Sequence, residues 1–210
     1  MTKLKKTIAV IGEGITEKYY LKSLQGIIKA DIKPIIPNHA TSMFDLEKQI
    51  KKAIEEGYNN IFCLIDMDNK KQGRNRDNYL KLKKSYHDKR IYRPKKGLDT
   101  YIRFFENERC LEIWFYFYFK ITTKEYLSSD ELCKELEVYG YKKTEDFFKS
   151  CQGLHRFLES QGGNLDFAIK NAEDSIKLKD RDGRDYTYSE MADFFKSIES
   201  IYNRLLLNIL

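Results

Sequence analysis

The sequence predicts an α/β protein, a parallel sheet flanked by helices, with a mainly α-helical C-terminal half. Three observations carry this. Short apolar runs at residues 7–11, 32–36 and 60–65 alternate with two stretches of helical spacing. From residue 129 onward the pattern is helical and broken only at Gly140, Gly153, Gly162–Gly163 and Gly183. The composition, 41% hydrophobic and 33% charged over 210 residues, is that of a soluble globular chain long enough for one integrated unit.

The first run, TIAVI, is β-branched and closes at Gly12, as a buried strand does. Gly12 and Gly14 flank Glu13 and permit a tight turn into a helix over residues 15–28, with Tyr20, Leu24 and Ile27/Ile28 on one face. A second strand follows at 32–36. Ser42 with Asp45 resembles a capping box. Leu46, Ile50, Ala53, Ile54 and Tyr58 repeat at helical spacing to Gly57. The third strand, NIFCLI, runs directly into DMDN. A helix over 77–86 and a strand over 100–105 complete this half. Strand–helix alternation of this kind places both faces of the sheet under helices. Ligands then gather at the carboxyl ends of the strands, where Glu13 and Asp66/Asp68 lie.

Residues 110–119 are aromatic on every side, and Ser128/Glu131 and Thr187/Glu190 are spaced as capping boxes. The last helix aligns Met191, Phe194, Phe195, Ile198, Ile201, Tyr202 and Leu205 in one apolar stripe, read as core packing. The natural division is 1–108 for the α/β core and 109–210 for a helical region packed on it.

The longest apolar run, 113–119, is far below the roughly 20 residues of a membrane span. The start lacks the long apolar stretch of a signal peptide. Both points predict a cytoplasmic protein without a membrane partner. Cys63, Cys110, Cys133 and Cys151 form no CxxC pair, so neither a zinc site nor a disulfide framework is implied.

The net charge of +6 hides an uneven distribution. Residues 69–96 hold twelve Lys or Arg against Asp77 and Asp88, a balance of +10, and the remainder sums to −4. A block of this kind suits a nucleic-acid backbone, although it is also what a solvated helix face looks like. The candidate contacts are Lys70, Lys71, Arg74, Arg76, Arg93, Lys95 and Lys96, with Tyr79, Tyr86 and Tyr92 available for stacking on single strands.

The candidate chemistry is acidic. Asp66 and Asp68 stand two apart at a strand end, which in an extended chain puts both carboxylates on one side. Bound Mg²⁺ or Mn²⁺ would relieve their repulsion, since hard cations prefer carboxylate oxygens. Asp is also common in turns that merely end strands. Glu13, set between two glycines after a buried strand, has little reason to be there for packing. Glu17, one turn on, suits the helix dipole and could also serve as a ligand. Glu112 lies among large apolar residues in CLEIWFYFYF and needs a partner, whether Arg109, another cation or a metal. His39, His87 and His155 are isolated, no GxSxG occurs, and GEGITE is not a P-loop.

A strand, EGxTE and a second strand ending in DxD together resemble the Toprim fold of topoisomerases, bacterial primases and OLD-family nucleases. IGEGITEKYYLKSL, FCLIDMDN and NERCLEIWFYFYF followed by GYKKT resemble the RloB-like family more narrowly. These are small bacterial Toprim proteins associated with restriction or phage-defence loci. Their third block resembles SNPCFExWxxxHF, which Asn107, Cys110, Glu112, Trp114 and Phe119 match. Glu106, Glu108, Arg109, Leu111 and Tyr118 depart from it. The resemblance implies a Rossmann-like sheet. Its acidic site maps to Glu13, Asp66 and Asp68, with Glu112 added, and Lys143 falls in the family's Tyr-x-Lys with Tyr141. The departure at Tyr118 weakens any acid–base role at that position.

These readings point to a metal-dependent nuclease acting on DNA or RNA, with one or two Mg²⁺ or Mn²⁺ ions held by Glu13, Asp66, Asp68 and Glu17. Glu112 and Lys143 would assist, and a separately encoded ATPase is the partner the family implies. One rival is an inert module of the same fold that binds nucleic acid or a partner. Another is a DxD phosphatase, but there DxD follows the first strand, whereas here it follows the third.

Overall fold

The computed structural model describes residues 8–28, 31–36, 42–94, 97–183 and 185–207, with side chains to residue 203. β1 (Ile8–Ile11), β2 (Ile32–Ile35), β3 (Asn60–Asp66), β4 (Lys89–Arg93) and β5 (Leu98–Asn107) form a sheet in the order β2-β1-β3-β5-β4. The first four strands of that order run parallel, and β4 is antiparallel to β5 at the edge.

α1 (Ile15–Ser23) covers one face, and α2 (Met43–Glu56) and α3 (Gly73–Tyr86) cover the other. Side-chain alternation along the strands supplies both layers. Ile8, Val10, Phe62 and Leu64 meet Tyr20, Leu21 and Leu24. Ala9, Ile11, Ile61, Cys63 and Ile65 meet Leu46, Ile50, Ala53, Tyr79 and Leu82.

The α1 face is completed by the second half of the chain. α4 (Glu112–Phe117) is buried all round, which explains its lack of a polar side. Around it lie α5 (Ser129–Leu136), a 3₁₀ turn (Glu137–Tyr139), α6 (Glu145–Ser150), α7 (Leu154–Ser160), α8 (Leu165–Asp182) and α9 (Met191–Leu207). Met191, Phe194 and Ile198 from α9 enter the same core as Ile8 and Phe62, as the apolar stripe implies. The side chain of Leu205 lies outside the described residues. No described helix is long and apolar enough to cross a membrane.

Several boundaries differ from expectation. α1 stops at Ser23 instead of 28, because Gly26 takes a left-handed conformation (φ 89°) and turns the chain, leaving Ile27 exposed. α3 begins at Gly73, four residues early, in a segment whose polar side chains carry no apolar period. β4 is hidden in the basic stretch: KRIYR has three charged residues, as edge strands often do. The Ser42/Asp45 box and the Gly57 C-cap form, and Ser128 Oγ accepts from Glu131 N at 3.2 Å. The Thr187/Glu190 box does not form. The Thr187 hydroxyl donates to the Lys124 carbonyl, and Glu190 accepts from Glu106 N at 2.8 Å, fastening the start of α9 to β5.

Candidate functional site

The carboxyl ends of β1 and β3 bring Glu13 and Asp66 together across a parallel pairing. Gly12 lets the first turn of α1 pack closely on the end of β1: a Cβ there would stand 2.5 Å from Glu17 Cβ. Glu17, in the first turn of α1, accepts a hydrogen bond from Gly14 N at 3.0 Å, the helix-start role its position implies. Asp66 N donates to Glu13 Oε1 at 3.2 Å.

Lys70 enters from the turn after β3. Its ammonium donates to Glu13 Oε2 at 2.9 Å and to the Asp66 carbonyl at 2.6 Å, with its side chain 1% exposed. It therefore sits inside the acidic cluster and not on the surface. The fourth acid, Glu112, arrives from the first turn of α4. Its Oε1 accepts from Thr16 Oγ1 at 3.1 Å and Tyr141 OH at 2.8 Å, and pairs with Lys143 Nζ at 3.0 Å. Arg109, the alternative partner, instead donates to the Tyr126 carbonyl.

The electrostatics follow from burial. Glu17 is pushed up to about 7, by burial and then by Glu112. Burial drives Asp66 well above the usual carboxylate range, with Glu17, Glu13 and Glu112 adding to it and Lys70 opposing. Burial also raises Glu13 despite Lys70. Burial pushes Glu112 upward too, but Lys143 and the hydrogen bonds from Cys110 and Tyr141 outweigh it, so this carboxylate lies below its ordinary value. Four carboxyl groups thus share two ammonium groups. Asp66 Oδ1 and Glu112 Oε2 are buried without a hydrogen-bond partner, and an orphaned acceptor of this kind costs about 1–3 kcal/mol.

Asp68 behaves differently from Asp66. β3 ends at Asp66, so the alternation that would align the two side chains does not continue. Asp68 is exposed in the turn, its N–H bound to the Arg109 carbonyl at 3.0 Å, and its charge still reaches Glu13. A cavity of about 1020 Å³ opens beside the cluster, lined by Glu13, Glu17 and Asp66 and by Lys18, Lys22 and Lys143. The structure therefore joins Glu13, Glu17, Asp66, Glu112 and Lys143 in one network and leaves Asp68 at its margin.

The donors are all hard oxygens, the set that suits Mg²⁺ or Mn²⁺, and two of them are buried and unsatisfied. In this arrangement, with Lys70 on Glu13, no group of three or more His, Cys, Asp or Glu among the described residues is spaced to hold a metal ion.

The basic stretch is dispersed. Lys71 pairs with Glu108 at 2.7 Å. Arg74 and Arg76 are exposed on the first turns of α3. Arg93 pairs in register with Leu98, at the opposite end of β5 from Asn107, the partner of Asp66. The ten residues of β5 separate those ends by about 30 Å. Lys95 and Lys96 lie outside the described residues, as does His39. Tyr79 is buried and donates to Glu106, Tyr86 is half-buried against Glu47, and Tyr92 is exposed.

Sequence reasoning missed Lys70 as a member of the site, the Thr16–Tyr141 clamp and the lysines of α1. Only the TE of GITE hinted at the second. The departures in the third block have local partners: Glu106 takes hydrogen bonds from Tyr79, Lys83 and Tyr188, and Glu108 takes Lys71. Tyr118 faces the core, where its hydroxyl bonds to Tyr20 at 2.9 Å and to His155 Nδ1 at 2.8 Å.

The family model described as RloB-like protein matches residues 8–201. No curated protein and no solved structure matches the chain.

Proposed function

The chain belongs to the RloB-like family, and from that premise we propose that it is a Toprim-type, divalent-metal-dependent nuclease acting in bacterial defence. One observation carries the reading: buried, unpartnered carboxylate oxygens on Asp66 and Glu112 within a cluster of four acids, two of them buried and two half-buried. Of these two residues Asp66 lines the open cavity, and a structural ion pair does not need an orphaned acceptor there. A cation bound at Asp66 gives that oxygen a reason.

Glu13 and Asp66 would hold the ion, with Glu17 behind them and Asp68 on the solvent side. Once bound, Mg²⁺ or Mn²⁺ supplies charge stabilisation at a scissile phosphate and a more acidic water. The chain's own residues do the rest. Lys143, anchored by Glu112 and 38% exposed, presents positive charge to the cavity for a phosphate oxygen. Thr16 and Tyr141 fix Glu112 so that Lys143 keeps one position. Glu17 lines the cavity, and with no ion bound burial and Glu112 raise its carboxyl to about 7. Arg74 and Arg76 offer backbone contacts beyond Asp68. A separately encoded ATPase is the partner that membership suggests.

Calorimetric titration with Mn²⁺ tests the reading. Wild-type protein is expected to bind, and Asp66→Asn to lose at least tenfold in affinity. Equal affinity in both, or no binding to wild type, contradicts it.

The Lys70–Glu13 bond favours a second reading, an inert module whose site is permanently neutralised by its own ammonium. Glu13→Gln/Asp68→Asn separates the two: an inert module keeps its biological effect, whereas a nuclease loses it.

A further inference from the structure

We infer that the cavity beside the acids seats a single polynucleotide strand, whose phosphates are held by Lys18 and Lys22 on α1 and not by β4 of the basic stretch. This builds on the nuclease reading, but it concerns binding alone.

Lys18 and Lys22 stand one helical turn apart, exposed, and both line the cavity. Like charges at that spacing weaken a helix by a few tenths of a kcal/mol. The usual remedy is an intervening carboxylate, and among the described residues neither lysine is paired with one. Both ammonium groups lie 5.9 Å from the ring of Tyr19, which is stacked on Phe148 at 5.4 Å. Gln25, just beyond the end of α1, lines the same wall. Glu145, the acid on the outer part of the lining, is taken by Lys149 at 3.0 Å. The outer wall thus keeps a net positive row leading inward to Lys143, and the buried end of the same cavity holds the acids.

The shape selects the strand. Glu13 is 13% exposed, Asp66 is half-buried and Glu17 is buried, and all three line the cavity, so a phosphate reaches them by entering it. A duplex holds its phosphates on the outside of a rigid cylinder that cannot bend inward to acids set within a cavity. A single strand can enter, as in proteins that track one backbone along a basic groove. Recognition through phosphates carries no base preference.

Fluorescence anisotropy with labelled single-stranded DNA and RNA in EDTA tests this apart from cleavage. Lys18→Glu/Lys22→Glu is expected to weaken binding at least about tenfold. Lys18→Gln/Lys22→Gln, the milder pair, is expected to flatten the salt dependence by about 1.4 in log–log slope. Lys89→Glu/Arg93→Glu on β4 is expected to stay within twofold of wild type. Melting curves establish that each variant is folded. The inference is overturned if both α1 variants bind like wild type, if the β4 variant loses as much, if duplex of the same sequence binds more tightly, or if wild type binds no strand at micromolar concentration. Strand binding lost in the α1 variants, together with no Mn²⁺-dependent cleavage by wild type, would sink the nuclease reading and leave this one standing.

Discussion

At Lys70 a full positive charge is almost completely withdrawn from water, held by one Glu13 oxygen and the Asp66 carbonyl. Removing one partner of a buried pair costs about 3–5 kcal/mol, because the other is left uncompensated. Lys70→Met is therefore expected to lower the melting temperature in chelator. In the nuclease account Mn²⁺ should restore it further than it raises wild type, because ammonium and metal compete for Glu13. Equal Mn²⁺ shifts in both proteins would contradict that competition. Glu17 gives a pH signature. Burial and Glu112 raise it from the ordinary 4.5 to about 7, with Glu13 adding and Lys143 opposing. The folded state thus binds more protons than the unfolded one, so this contribution is present in full below 4.5 and is lost as pH rises to about 7. Glu13 and Asp66 shift the same way, and Glu112 the opposite way. Melting without divalent ions should fall across that window, and Glu17→Gln should flatten the slope. An unchanged slope would show that Glu17 does not titrate there. The acids Glu13, Asp66 and Glu112 were legible as residues because each breaks an apolar or glycine-rich context. Lys70 was not, since nothing in its local sequence separates a lysine folded back from one facing solvent.

Among the elements, the β1–α1 turn carries the tightest constraint. Gly12→Ala sets a methyl 2.5 Å from Glu17 Cβ and 2.9 Å from Ile36 Cδ1. Overpacking of this kind costs about 1–3 kcal/mol, so denaturant unfolding should show a lower midpoint at unchanged slope. A midpoint equal to wild type would mean that α1 shifts freely and does not fix Glu17. The buried strands and α2 were readable because they repeat at one clear period between glycine and capping signals. β4 and the start of α3 were not, because charged residues at an exposed edge and an exposed first turn are chosen for solvent. That loss mattered: an undetected antiparallel strand turns a continuous basic arm into one that runs from the acids to the far end of the sheet.

For the molecule as a whole, the two halves complete one site. Glu13 and Asp66 come from the sheet, while Glu112, Tyr141 and Lys143 come from the helical half, and both halves share the core around Phe62 and Trp114. Strand alternation makes the sheet legible in sequence. The long-range contacts that carry α4 onto α1, such as Thr16 to Glu112, have no local signature. The central claim is that these joined acids hydrolyse phosphodiesters with a divalent ion. Its most direct test is cleavage of end-labelled single-stranded DNA and RNA by wild type and Asp66→Asn with Mn²⁺, with strand binding measured in parallel. The account predicts cleavage by wild type that chelation abolishes, and at least a hundredfold slower cleavage by Asp66→Asn with binding intact, on the order of 3 kcal/mol in barrier. Equal cleavage by the two proteins, or a wild type that binds strands but never cuts them, would contradict it.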